Sequence, residues 1–510
     1  MTSKKVAKNL LFKFPKKELL IVSCIYLLSV FVNWYKMPAN LFFGHEQGRD
    51  AQAVRDIYTG KHFPLISTKT EVEGFYSPPW YYYIMTIPYG LSGGNPVAGI
   101  MTIVLFNSTA AVIMFFFVKD LLKSTKWAIV ASIMTALSWE FINYARWLIN
   151  VSPAYPFVTL SLYMAWKYYK SQRNLHFFLY SLFAILAIQF QVTLIFQFIF
   201  LTIALFALRF FKLPNIKTIL LSLLVLAFLA SPLIIFDFRH EHISLKSTFG
   251  FISGKQEKSF IINPQTALTQ YSDQLEKVIK RTLFNINYNT GNIYPQQSSK
   301  YLQTAFFLTL FFGLYLFSKR KDNRKTLLFV VTISFMSLGI LPFNIGLTQL
   351  YQGTGVGWII LGVIALQGFW QNSKISAFIL IGLLTFGWVQ NLKYLSDNNN
   401  LFFVPVQKVL NYHDQLALLN FIQNDAKIKP YRFESFTVPY LHSEGWQYLH
   451  SYLYPAVESK HAKEVYISIE PGVEPFWVRK WTEDLGKTEI VYLQSFGQIL
   501  LQKRIIENPI

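Results

Sequence analysis

Runs of apolar residues, roughly 15–22 long and separated by short basic turns, constrain this chain more than any other feature. A run of that length reads as a membrane-crossing helix rather than a buried core segment. Only 15% of the 510 residues are charged and 53% are hydrophobic, whereas a soluble domain carries about 25% charged residues. A soluble enzyme, a disordered chain and a disulfide-stapled secreted domain are thereby excluded. The single cysteine, Cys24, can form no intrachain bridge and leaves no Cys-based zinc site. The net charge of +20 sits mostly in the turns between the runs. There it is topology information, not a nucleic-acid face.

Lys4, Lys5, Lys8, Lys13, Lys16 and Lys17 precede the first run, which ends in Trp34 and Tyr35. No small-residue cleavage site follows, so a retained span with a cytoplasmic N-terminus is expected rather than a signal peptide. Ile21-Val22-Ser23-Cys24 lies too early in the run for lipoprotein processing. About eleven spans are expected, near 19–35, 97–118, 127–142, 152–166, 176–190, 192–208, 218–236, 303–318, 326–341, 356–371 and 375–395. Lys and Arg gather in alternate turns, such as Lys119/Lys123/Lys126 and Lys319/Arg320/Lys321, while the opposite turns are nearly free of them. That register puts three long segments outside: 36–96, 237–302 and 396–510. A transporter concentrates polar groups near the midplane; here they collect at one face, as chemistry or binding at the outer surface requires.

The first outer loop holds Gly44-His45-Glu46-Gln47-Gly48-Arg49-Asp50-Ala51. Helical spacing of Ala51, Val54 and Tyr58 predicts a surface helix over 49–59, ending at Gly60. Glu46 and Asp50 would sit at or before its N-terminus, close to the apolar edge. A carboxylate partly removed from water has a raised pKa and makes a better base. Arg49 could hold a phosphate in a bidentate fork. The same spacing also fits dipole-compensating acids with an i,i+3 Glu–Arg pair. Farther along, Tyr76-Ser77-Pro78-Pro79-Trp80-Tyr81-Tyr82-Tyr83 combines a helix breaker with an aromatic cluster. Tyr76, Pro78, Pro79, Trp80 and Tyr82 could line a sugar or lipid groove, or form an interfacial aromatic belt.

Glu46-Gln-Gly-Arg49-Asp50-Ala, the Pro78-Pro79 segment, and Gly94-Asn95-Pro96 resemble, in that order, the opening of the GT-C glycosyltransferases. The similarity is to the protein mannosyltransferase and aminoarabinose transferase type, family 39. Asn143-Tyr-Ala-Arg146-Trp-Leu-Ile-Asn150 and Phe236-Asp237-Phe-Arg239-His240 also look like bacterial members. The resemblance covers about 19–250 by motif and the remainder by layout. It implies transfer of a sugar from a polyprenyl-phosphate donor to an acceptor hydroxyl at the outer face, usually with inversion. By it Glu46 is the general base, with Asp50 as a rival, and Arg49 holds the donor phosphate. A hydroxyl needs a base within hydrogen-bond reach, and a departing phosphate needs fixed cations. The sequence departs from the pattern twice. The usual Asp is Glu46, and the Glu-Lys pair before Pro-Pro in aminoarabinose transferases is replaced by Tyr76 and Ser77.

Arg146, Arg239 and His240 are further candidate phosphate contacts, each also readable as a span-end anchor. His240 and His242, with Asp237 and Glu241, could form a divalent-cation site, although no cofactor or metal is assigned. Gln189 and Gln191 read as turn residues, and Tyr351 and Gln352, with Gly353, Gly355 and Gly357, read as a plain turn or as a place where the backbone could approach a donor. Residues 396–510 carry more charge and mixed periodicity. A helix over 415–422, a strand over 464–470, a hairpin around Gly497 and amphipathic helices at Trp446 and Trp477/Trp481 predict a small α/β domain. His413-Asp414 and His442-Ser443-Glu444 in it are not assigned to catalysis.

The expected architecture is thus a polytopic α-helical membrane protein of GT-C type. Residues 1–395 form the transmembrane catalytic domain and 396–510 an extracytoplasmic α/β domain. The expected location is the plasma (inner) membrane, multi-pass. Expected partners are a polyprenyl-phosphate-linked sugar, a glycan, lipid or protein acceptor, and membrane lipids, but no nucleic acid. The alternatives are a flippase or transporter of lipid-linked sugars, a lipid-linked oligosaccharide ligase or polymerase, and a non-catalytic surface scaffold.

Overall fold

The computed structural model describes residues 15–70, 74–253, 264–283, 300–343, 348–397, 410–427, 429–438, 441–454, 462–484 and 487–506. Helix α1 (Lys16–Trp34) leads into a loop that contains α2 (His45–Tyr58) and α3 (Trp80–Leu91). Then come α4 (Pro96–Leu122), α5 (Thr125–Leu137), α6 (Trp139–Ala145), α7 (Ala154–Ser171), α8 (Asn174–Phe190), α9 (Leu194–Ala207) and α10 (Ile216–Arg239). The second long loop holds α11 (Ile243–Ile252) and α12 (Pro264–Leu283). It is followed by α13 (Lys300–Ser318), α14 (Lys321–Ser334), α15 (Thr354–Asn372) and α16 (Lys374–Asp397).

Each expected span overlaps one or two of these helices, but they are not equal in length. Among the described residues, five helical segments are long and apolar enough to cross a membrane: α1, α4, α10, α15, and Lys321–Leu341, which continues α14. A sixth is the pair α5 and α6, bent by 55° at a short break. The break is Ser138, whose extended backbone (ψ 126°) interrupts the helix. The other five expected segments lie on α7 and on the shorter apolar stretches Asn174–Phe190, Leu194–Ala207, Thr304–Ser318 and Lys374–Val389. Burial separates central helices from peripheral ones. The apolar window of α15 is 83% buried, whereas that of α10 is 17% buried. Leu220, Leu224 and Phe228 of α10 stay exposed, as residues facing lipid do.

Local chemistry sets several boundaries. Asn95 caps α4, its side chain accepting from the Val97 N–H at 2.9 Å, with Pro96 at the first helical position. Buried amides then tie the loops together. Asn107 Nδ2 donates to the carbonyls of Tyr144 (3.2 Å) and Ser152 (3.0 Å). Gln352 Nε2 donates to the Val151 carbonyl at 3.0 Å. An unmet carbonyl in an apolar interior is costly, so these bonds hold the 143–152 turn in one shape.

After α16 the chain forms α17 (Tyr412–Ala426), β1 (Arg432–Phe436), α18 (Glu444–Leu453), β2 (Glu464–Ile469), α19 (Pro475–Asp484), β3 (Thr488–Phe496) and β4 (Ile499–Ile506). The sheet order is β1-β2-β4-β3, with β1 parallel to β2 and the other pairs antiparallel. The β3–β4 hairpin turns at Gly497, whose positive φ (57°) suits glycine. Strand β1 was not expected; at five residues it carries little period-2 signal of its own.

This sheet-bearing region does not stand apart. The backbone N–H of Tyr412 donates to the Leu41 carbonyl at 2.8 Å, and that of His413 to Ala39 at 3.1 Å. Helix α18 lies against α2 where two glycines meet. A Cβ on Gly48 would fall 2.3 Å from the Glu444 carbonyl carbon and from the Gly445 nitrogen. A Cβ on Gly445 would fall 2.7 Å from the Gly44 oxygen. Only residues without Cβ permit two backbones to approach this closely. Arg55 extends the contact, its guanidinium 4.2 Å from the Tyr448 ring centroid and donating to Ser451 Oγ at 2.8 Å.

Candidate active site

The first turns of α2 carry the candidate chemistry. The helix starts at His45, earlier than the expected 49–59. Gln47 Oε1 accepts from the Gly44 N–H at 3.1 Å, which satisfies a donor that helix starts leave open. Glu46 and Asp50 therefore sit within the helix, one turn apart on the same side, rather than before it. Ala51, Val54 and Ile57 form the buried apolar stripe that seats α2.

The two acids differ in environment. Asp50 is buried, at 3% exposure. Its Oδ1 accepts from the Tyr82 hydroxyl at 2.8 Å and from Arg49 Nε at 3.0 Å, and another Arg49 nitrogen lies 2.9 Å away. Glu46 has an exposed side chain that makes no hydrogen bond among the described residues. It is nonetheless hemmed in by protein. Burial holds its carboxyl above the ordinary range, with Arg49 acting against that shift and Asp50 adding to it. Burial also raises the Asp50 carboxyl, opposed by Arg49 and Tyr82. Burial alone would weaken the Arg49 charge, but Asp50, Tyr82 and Glu46 together outweigh it, so Arg49 stays protonated. The arrangement is an accessible carboxylate beside a cation that a second, buried carboxylate orients.

The aromatic Pro-Pro segment reaches the acids through Tyr82, whose hydroxyl donates to Asp50. Ser67 and Thr68 pair with Ser77 through Ser67 N–H to Ser77 O (2.7 Å) and Ser77 N–H to Thr68 O (2.9 Å). Pro78 and Pro79 are buried and lead into α3. Trp80 Nε1 donates to the Leu229 carbonyl of α10 at 2.7 Å, in the stretch that Pro232 disturbs. Tyr76 meets Phe236 edge-on at 5.0 Å, and Phe236 stacks on His240 at 4.0 Å. Tyr82 differs from its expected groove-lining place: it is 3% exposed, and its hydroxyl faces Asp50.

The remaining cations divide. Arg146 is 3% exposed and donates from one terminal nitrogen to the carbonyls of Asn33 (2.9 Å) and Tyr35 (2.7 Å). It closes the C-terminal end of α1, where cations are favoured. Burial lowers its pKa to about 10, still charged at neutral pH. Arg239 and His240 are exposed at the end of α10, with His240 Nδ1 2.8 Å from the Phe236 carbonyl. The neighbouring acid Asp237 accepts from the Ser244 N–H at 2.6 Å, holding the turn into α11. His242 Nδ1 is 3.7 Å from Asp237. Among the described residues the convergent ligand-type group is instead His45, His442 and Glu444, of which the sequence shows only the His442-Ser443-Glu444 half, because His45 is distant in the chain.

One buried cluster escaped sequence reasoning. Glu140, at 0% exposure, lies 2.7 Å from Arg281 of α12 and accepts from the Tyr155 hydroxyl at 2.7 Å. Its signal was a lone acid inside an apolar stretch.

No family model and no curated relative matches the sequence. Solved structures do match its shape. The ArnT protein of Cupriavidus metallidurans bound to undecaprenyl phosphate aligns over 96% of this chain and 98% of its own, at TM-score 0.54 and 10% identity. Its apo form aligns over the same shares at TM-score 0.56 and 9% identity. The chain thus has the ArnT fold, a transmembrane helical bundle followed by a small sheet-bearing region.

Proposed function

We propose that this protein is a membrane glycosyltransferase of the GT-C kind, moving a sugar from a polyprenyl-phosphate donor to an acceptor hydroxyl. The observation that carries this reading is the accessible Glu46 carboxylate one turn from the Arg49–Asp50 pair, on a fold whose ArnT example holds undecaprenyl phosphate. In the proposed step Glu46 takes the acceptor proton. The acceptor oxygen bonds to the anomeric carbon as the bond to phosphate breaks, and the phosphate leaves with the electron pair. Arg49 meets that growing charge, with Arg239 and His240 as further contacts. Because phosphate is itself a stable anion, no acid has to protonate it, and one carboxylate suffices. Asp50 orients Arg49, and Tyr82 orients Asp50. The groove would run past Tyr76, Pro78, Pro79 and Trp80. This reading places residues 1–395 as the catalytic unit, the N-terminus in the cytoplasm, and residues 396–510 on the outer side, where they would help bind the acceptor.

The test is release of free polyprenyl phosphate by purified protein across a panel of polyprenyl-phosphate sugars, each offered with candidate acceptors. Wild type should turn over one of them, and Glu46→Gln should lose roughly 10²–10⁴-fold in kcat with donor binding nearly intact. Near-full turnover by Glu46→Gln would remove Glu46 as base. Donor binding without release by wild type, under every acceptor, would favour a flippase of lipid-linked sugars.

A further inference from the structure

The histidine and glutamate cluster at the start of α2 lies outside the transfer step. His45 Nδ1 is 2.7 Å from Glu444 Oε2. His442 Nδ1 is 3.7 Å from Glu444 Oε1. The His45 and His442 rings stack with centroids 4.1 Å apart and planes 19° apart. One ligand atom from each residue can be chosen so that all lie within 4.8 Å of one another. The backbones are held there by the Gly48–Glu444 and Gly445–Gly44 approaches, so the cluster is supported by a packed junction rather than a free loop. Side-chain exposures of 30%, 49% and 37% for His45, His442 and Glu444 leave a path for an ion from solvent.

From this geometry we infer that His45, His442 and Glu444 form a divalent-metal site that clamps the sheet-bearing region onto the helix carrying Glu46. Two imidazole nitrogens and one carboxylate oxygen suit a borderline ion such as Zn²⁺. Ligands at about 2.0–2.2 Å in a tetrahedron lie roughly 3.3 Å apart. The widest pair must therefore close by up to about 1.5 Å, which side-chain torsions supply. Three protein ligands leave the fourth position to water. Metal binding would join residues 45 and 444 by coordinate bonds and stabilise their junction by mass action. The inference does not depend on the transferase reading.

The test uses tag-free full-length protein in detergent, stripped with EDTA and titrated with Zn²⁺ against a chromophoric chelator. Wild type should take up about one ion per chain and gain thermal stability with Zn²⁺. His442→Ala and Glu444→Gln should weaken affinity by more than the roughly 10–100-fold that loss of a ligand's outer partner costs. His413→Ala, which removes an exposed histidine outside the cluster, should bind as wild type does. No uptake by stripped wild type, or equal uptake by His442→Ala, overturns the site. The thermal shift of wild-type protein between EDTA and Zn²⁺ needs no variant, so a variant that misfolds leaves the test decisive.

Discussion

Replacing Gly48 by alanine tests how the sheet-bearing region is held to the candidate site. On an isolated helix the change would stabilise, because glycine costs roughly 1 kcal/mol relative to alanine inside a helix. Here the added methyl would sit 2.3 Å from the Glu444 carbonyl carbon and oxygen and from the Gly445 nitrogen. All three atoms are backbone, so no rotamer change relieves the clash. To reach ordinary contact, α18 must withdraw by about 1 Å, a shift of the size that overpacked sites absorb at a cost of about 1–3 kcal/mol. The His45–Glu444 contact and the Arg55–Tyr448 stacking lie along the same junction and weaken with it. Set against the propensity gain, the net expectation is destabilisation by up to about 2 kcal/mol, opposite in sign to the helix-propensity effect. Tryptophan fluorescence during thermal unfolding, with limited proteolysis around 441–454, measures it. A Gly48→Ala protein that melts higher than wild type, with unchanged protease resistance there, would refute the close docking.

Two further predictions separate the roles of buried acids. Asp50→Asn should raise the donor KM and lower kcat by about 10²-fold, the order expected when a positioned group drifts by about 1 Å, because Arg49 loses its anchor. If Asp50→Asn instead abolishes turnover as fully as Glu46→Gln while donor affinity holds, Asp50 is the base. In the sheet-bearing region Glu470 is buried, accepting from Trp446 Nε1 at 2.9 Å and from the Val438 N–H at 3.1 Å. Burial pushes its carboxyl up to about 7 from 4.5. A folded pKa above the unfolded one favours the fold while the group is protonated, so this stability is full below pH 4.5 and is lost as pH rises through about 7. The contribution reaches about 3 kcal/mol at most. Glu470→Gln should therefore flatten the fall in thermal stability between pH 5 and pH 8; an unchanged pH slope would exclude Glu470 as its source.

What the sequence determined alone is local and periodic. Apolar runs specify membrane helices because a bilayer leaves backbone groups no partner except the helix itself. Asn95-Pro96 specifies the start of α4, since the cap and the proline act within one turn. Gly497 specifies the hairpin between two alternating runs. The Glu46–Arg49–Asp50 spacing put these three side chains together on one side of a helix, because four residues span about one helical turn. Its start was misplaced, however: the Gln47 side chain that caps α2 is a weaker signal than apolar periodicity. Only the tertiary structure decided which acid is accessible. Asp50 is taken up by Arg49 and by Tyr82, 32 residues away, and Glu46 is not. Only the tertiary structure turned Arg146 toward the end of α1, 111 residues back. It also brought His45 to Glu444 across 399 residues through a pair of glycines whose value lies in the missing Cβ. Periodicity reports which face of an element is apolar; it carries no record of which distant element covers that face, and that choice set which groups meet at the candidate site.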